Sequence, residues 1–156
     1  MKTVHPQRFR DVMGHFATGV TVVTASDDDG PVGMTANAVC SLSLEPLLAL
    51  VCFDNGARTL RVVREQGRFG VNVLAAGQED LARLFASKAP ERENFADVQH
   101  TVHDGIPVIE GTLAWVGCTL HELIPGGDHT IGIGAVTAAE KAGDGPPLIW
   151  YRGEYR

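Results

Sequence analysis

Three short segments carry residue types that could do chemistry together. The first, Gly33-Met34-Thr35-Ala36-Asn37-Ala38 with Ser41 following, sets one hydroxyl and one amide among small side chains. A strand of this kind leaves its backbone open to close approach by something flat with a polar edge. The same composition equally suits a softened core strand, and the segment alone does not separate the two readings. The second, Gly127-Asp128-His129-Thr130-Ile131-Gly132-Ile133-Gly134, alternates bulk along its length. His129, Ile131 and Ile133 share one strand face, and Thr130, Gly132 and Gly134 share the other, which is nearly bare. Two bare strand surfaces imply a slot. The third, Asn55-Gly56-Ala57-Arg58-Thr59, places a polar loop before a helix with a cation and a hydroxyl in its first turn, an arrangement able to hold a phosphate.

Taken together, the Gly-Met-Thr-Ala-Asn strand and the later Gly-Asp-His-x-x-x-x-Gly segment resemble the short-chain flavin reductases. The likeness runs from about Phe9 to about Tyr151. It implies an FMN-binding split β-barrel, an antiparallel Greek-key barrel with two or three short helices. It also implies FMN or FAD as cofactor, NADH or NADPH as hydride donor, a homodimer, and a separate oxygenase that receives reduced flavin. By the same resemblance Met34, Thr35, Ala36, Asn37, Ala38 and Ser41 contact the ring and ribityl chain. Asn55, Ala57, Arg58 and Thr59 cradle the phosphate, Lys88 and Arg92 bring charge near the phosphate or the adenosine half, and His129 lines the nicotinamide side. Tyr151 and Trp150 are placed to cover a ring face.

Departures from the family pattern are specific. Ala57 stands where relatives commonly carry serine, so one hydroxyl donor is missing and more of the contact falls to Arg58. Glu91-Arg92-Glu93-Asn94-Phe95 replaces a common Asp-Arg-Phe, with two extra residues before the phenylalanine. Each residue also has a plainer role open to it. Thr35 is a good strand former, loop cations are usually solvated, Asp128 suits a turn, and terminal aromatics are usually core.

Hydride transfer between a nicotinamide and a flavin needs no protein acid or base at the reacting carbon. Holding two flat rings in near-attack geometry supplies up to roughly 7 to 11 kcal/mol of barrier reduction, so the absence of a catalytic dyad is no objection. A noncatalytic flavin-binding module, or a barrel oxidase using bound FMN, is the competing reading, since one fold hosts several activities. No phosphate-binding Gly-x-x-x-x-Gly-Lys-Ser/Thr loop and no complete Gly-x-Gly-x-x-Gly occurs. A dinucleotide would therefore bind as a substrate in the open slot. His100 and His103 lie at i, i+3 without a convincing third ligand, and no metal is expected.

The chain's 156 residues suit one domain with its own core, and 44% hydrophobic with 21% charged residues are globular values. A net charge of -6 opposes a nucleic-acid partner. No apolar run approaches a membrane span, and the start shows no secretory signal. Three scattered cysteines among apolar neighbours favour buried free thiols and a cytoplasmic address.

The elements that must position these segments follow from periodicity. Phe9, Val12, Met13 and Phe16 predict a short amphipathic helix ending near Gly19. Residues 20–42 predict a hairpin about the turn at Asp27-Asp28-Asp29-Gly30. Strands are expected at 47–53, 69–74, 111–123, 129–136 and 148–151, helices after Gly56 and over 78–85, and an irregular loop over 88–100.

Overall fold

In a computed structural model, residues 3–90 and 93–156 are described; Arg92, one of the loop cations named above, lies outside them. The chain runs through α1 (Pro6–Met13), β1 (Thr18–Gly19), β2 (Thr21–Asp27), β3 (Gly30–Ala36), β4 (Val39–Leu44), β5 (Leu47–Asp54), α2 (Arg58–Gln66) and β6 (Arg68–Val73). There follow α3 (Glu79–Ala86), a single 3-10 turn (Glu93–Phe95), β7 (His100–His103), β8 (Ile106–Ile109), β9 (Ala114–Gly126), β10 (His129–Lys141), β11 (Ile149–Tyr151) and β12 (Glu154–Tyr155).

Seven strands form one antiparallel sheet in the order β3-β2-β6-β9-β10-β5-β4. Its two edge strands are consecutive in the chain and are joined by Asn37 and Ala38 alone. Laid flat, the outer strands would stand roughly 29 Å apart at the usual strand spacing, whereas the link from Ala36 to Val39 reaches about 11 Å. The sheet must therefore curl until its edges meet, giving a barrel split along a β3/β4 seam. Ala38 fixes the crossing, its carbonyl accepting a hydrogen bond from the Cys52 backbone N–H at 2.9 Å.

The expected hairpin over 20–42 is accordingly cut short. Residues 21–27 pair with 30–36, but 39–44 cross the seam and pair with β5 instead. Gly19, expected to end the first helix, lies in β1 opposite Ile149, because α1 stops at Met13 and the chain turns at Gly14. The 88–100 loop holds one helical turn whose Phe95 is buried against Phe85, with ring centroids 4.9 Å apart. The β7/β8 hairpin was not legible from periodicity. It is held from below by Asn72, whose Oδ1 accepts from the Ile109 N–H at 2.9 Å, and by Thr24, whose hydroxyl donates to the Pro107 carbonyl at 2.6 Å.

The barrel interior packs Val23, Val51, Phe53, Phe69, Val71 and Cys118 against Leu60, Val62 and Val63 of α2. A second apolar cluster outside the sheet gathers Val22, Leu74, Ala82, Phe85, Phe95 and Leu148 under α3. The bare face of β10 belongs to the first cluster and is not an open slot. A Cβ on Gly132 would sit 2.6 Å from the Phe53 ring, and one on Gly134 would sit 2.6 Å from Phe69 and from the Cys118 Cβ. These glycines make room for two core rings that meet edge to face at 5.8 Å. Gly33 does the same for Phe85, whose ring lies 2.9 Å from where its Cβ would be.

Two further expectations change. All three cysteines are free, but Cys40 is exposed rather than buried; Cys118 is buried, and desolvation pushes its thiol up to about 11. The apolar face of α1 finds no cover among the described residues, and Phe9, Val12, Met13 and Phe16 are all exposed. Among the described residues no helix is long and apolar enough to cross a membrane.

Replacing Gly134 by alanine overpacks the barrel, and urea unfolding should show a loss of about 1–3 kcal/mol. A second change, Phe69→Leu, should recover part of that loss in the double variant, whereas additive losses would show that the two sites do not share one space.

Candidate functional site

Of the three chemically promising segments, only the first lines the hollows at the seam; the other two lie beyond it, at the end of β5. Along β3 the side chains alternate: Ala36 is buried and Met34 packs against the interior cluster, whereas Thr35 and Asn37 face outward, toward α3 and the chain's end. Thr35 spends its hydroxyl proton on the Ala82 carbonyl of α3 at 2.6 Å. Asn37 is exposed, and its side-chain amide has no partner among the described residues. It offers both a donor and an acceptor to a ligand edge.

Three adjoining hollows share Asn37. One of about 260 Å3 lies between Val20, Thr35, Ala86, Trp150 and Tyr155. Another of about 540 Å3 runs past Ala38 and Thr18 to Phe16, Met13 and Trp150. The third, about 470 Å3, follows Ala38 and Val39 to Cys40, Leu50 and Cys52. They form a groove along the seam with apolar walls and one unpaired amide near its middle, the furnishing expected of a site for a planar heterocycle. Trp150 was expected at a ring face, whereas Phe16 and Thr18 were not singled out as ring contacts.

β5 carries the groove toward the phosphate-cradle segment. Cys52 meets Ala38, and two residues on, Asp54 pairs with His129. Asn55 locks that corner: its Oδ1 accepts from the Thr130 hydroxyl at 2.7 Å, and its amide donates to the Gly127 carbonyl at 3.2 Å. The Asn55 side chain is thus committed to joining the loop before α2 to the β9/β10 turn. Asp54 turns the loop by accepting from the Gly56 N–H at 2.7 Å.

At the start of α2, Ala57 provides no side-chain cap, so the first turn's N–H groups face outward without a protein acceptor from that position. Arg58 is half-buried beside them. Thr59 is fully buried and its hydroxyl has no hydrogen-bond partner among the described residues, so it lies beneath the cradle rather than at its surface. An uncapped helix start with an adjacent guanidinium suits a phosphate.

His129 is half-exposed, its Nδ1 lying 2.8 Å from Asp128 Oδ1. That hydrogen bond, with the histidine's charge, holds the Asp128 carboxyl below its ordinary value. The contact orients the ring and leaves Nε2 for a ligand. Ser41 is exposed on β4 outside the three hollows, and Lys88 is exposed two residues beyond Ala86, which lines the smallest of them. Tyr151, on the strand face opposite Trp150, packs against His15 with ring centroids 6.3 Å apart and lies under the Arg156 guanidinium. Among the described residues no cluster of three or more His, Cys, Asp or Glu could hold a metal.

Residues 13–156 match the family model described as flavin reductase like domain. The chain is 41% identical over 155 residues to the reductase subunit HsaB of a flavin-dependent monooxygenase from Mycobacterium tuberculosis, covering 97% of this chain and 82% of that one. It is 39% identical to an NADH-dependent flavin reductase of Rhodococcus, covering 98% and 86%. Among solved structures, the NADH:FAD oxidoreductase SgcE6 of Streptomyces globisporus superposes with a TM-score of 0.91 at 38% identity, covering 100% of this chain and 96% of that one.

Proposed function

Because the chain belongs to the flavin reductase-like family, we propose that it oxidises a nicotinamide dinucleotide, reduces FMN or FAD, and releases the reduced flavin to a separate monooxygenase. The observation that carries this reading is the seam groove, where an unpaired amide stands among apolar walls, with β5 leading from Cys52 at its edge to the loop before an uncapped helix start. These residues fit a flavin. Asn37 and the neighbouring backbone serve the polar edge of the ring, Trp150 and Phe16 serve its faces, and Arg58 with the first turn of α2 serves the phosphate.

When bound, the flavin supplies the hydride-accepting ring, so the protein's share is placement. Trp150 and Asn37 set the plane of the groove. His129, held by Asp128 through Nδ1, keeps Nε2 available to a nicotinamide carboxamide. The Asn55 clamp keeps that histidine and the phosphate cradle at a fixed separation. No proton need move at a protein atom for the hydride to pass. The groove is open rather than enclosed, which suits a flavin that arrives, is reduced and leaves.

The chain further acts as a homodimer. Its exposed apolar residues support this: Phe9, Val12 and Met13 on α1, Phe16 just beyond it, and Leu42, Leu44 and Leu47 about the β4/β5 turn, with Met13 and Phe16 lining the groove itself. Free thiols at all three cysteines suit a reducing cytoplasm.

Initial rates with NADH and NADPH against FMN, FAD and riboflavin test the activity. Steady oxidation of at least one donor with free flavin is expected, and one tightly held flavin with no turnover would instead identify a noncatalytic module. Arg58→Gln should weaken FMN by about tenfold while leaving riboflavin nearly unchanged, the size expected for one hydrogen bond to a charged group. Light scattering should give twice the chain mass, and Leu44→Glu with Phe16→Glu should shift it toward the monomer.

A further inference from the structure

A second polar hollow adjoins the seam groove. It measures about 420 Å3 and is lined by Gln7, Arg10, Asp11 and His15 of the first helix and its exit, and by Arg152 of the β11/β12 turn. It shares Arg10, Gly14 and Gly153 with the larger hollow that reaches Asn37, Ala38 and Trp150, so the two are continuous.

Its two arginines are not spent among the described residues. Asp11 receives the Gln7 side-chain amide at 2.9 Å, and the His15 Nδ1 lies 2.8 Å from the Asp11 carbonyl. The last carbonyls of α1 are met by the N–H groups of Gly14 and His15. The guanidiniums of Arg10 and Arg152, by contrast, make no hydrogen bond or ion pair among the described residues. In a chain of net charge -6, two unpaired arginines facing one hollow are a local exception.

Arg152 is exceptional a second way. Its φ of 51° lies in the left-handed region, and Gly153 beside it has φ of 79°. Two such residues between paired strands make the tight turn that ordinarily takes Asn-Gly, and a side chain as long as arginine is disfavoured there. The backbone is held in place nonetheless, Arg152 N–H donating to the Gly14 carbonyl at 2.9 Å. A strained position that keeps a long cation, docked beside another cation, points to a use for the charge.

We propose that Arg10 and Arg152 bind the diphosphate of a dinucleotide whose ring lies in the seam groove. The inference rests on the reductase reading above and adds to it a subsite on the side of the groove lined by Trp150. The chemistry recognised is the adenosine diphosphate half shared by NADH and FAD and absent from their mononucleotides. Guanidiniums recognise such oxygens through paired, charge-assisted hydrogen bonds.

The test uses the full chain with Arg152→Asn, which suits the left-handed turn, Arg10→Gln, and Arg8→Gln as a control outside the hollow. Calorimetry compares NAD+ with nicotinamide mononucleotide and FAD with FMN, alongside KM for NADH with FMN as acceptor. Each of the two site variants should weaken a dinucleotide about tenfold while its mononucleotide counterpart shifts less than twofold. Selective loss of NAD+ and NADH assigns the subsite to the hydride donor, and selective loss of FAD assigns it to the acceptor. Equal shifts for dinucleotide and mononucleotide, or none, overturn the proposal. A wild-type chain that oxidises neither donor refutes the reductase reading separately, and the binding comparison still decides the subsite.

Discussion

Two residues join opposite ends of a seven-stranded sheet, and most of the molecule follows from that constraint. A link as short as Asn37-Ala38 forces the sheet to close on itself while leaving its edge strands unpaired with each other at the crossing. The interior so created is filled by Phe53, Phe69 and the apolar side of α2, and the crossing itself is left as a groove. Within β9 and β10 the pairing shifts register between Ile133 and Gly134 and again between Val136 and Ala138. Bulges of this kind let a long strand bend without losing its ladder.

The site inherits its geometry from the same crossing. Because Ala38 is bonded to Cys52 and Asp54 pairs with His129, β5 acts as a short ruler between the ring-edge strand and the histidine. The loop that follows β5 then delivers the start of α2, and Asn55 ties that loop to the turn that orients His129. The functional groups are thus spaced by sheet hydrogen bonds rather than by flexible loops. Such rigid support is what a reaction governed by ring placement requires.

Much of this was legible in the residues, and the exceptions have physical causes. The β2/β3 turn, β5 and the helices after Gly56 and Gln78 carry strong local periodicity and occur where it places them, and β10 starts at His129 as expected but runs on to Lys141. The course of residues 39–44 did not, since a strand's partner is a tertiary choice that local pattern does not record. The small residues of β10 truthfully signal close approach, but what approaches Gly132 and Gly134 is a phenylalanine ring of the protein's own core. Composition cannot distinguish a core ring from a ligand ring. Phe16 reads as part of an amphipathic helix, yet it stands exposed at the groove, because α1 ends at Met13 and buries none of its apolar face among the described residues. Arg152 gave no sign at all in sequence, as its interest lies in a backbone angle.

The central claim is that a flavin ring occupies the seam beside Asn37 and Ala38. Ala38 is exposed and lines the two larger hollows, so Ala38→Trp would fill the groove while leaving the core untouched. Titration of FMN into this variant, with thermal unfolding of the free protein as control, is the most direct measurement. Loss of at least tenfold in flavin affinity with an unchanged unfolding midpoint is the predicted result, and wild-type affinity in the filled variant would contradict the account.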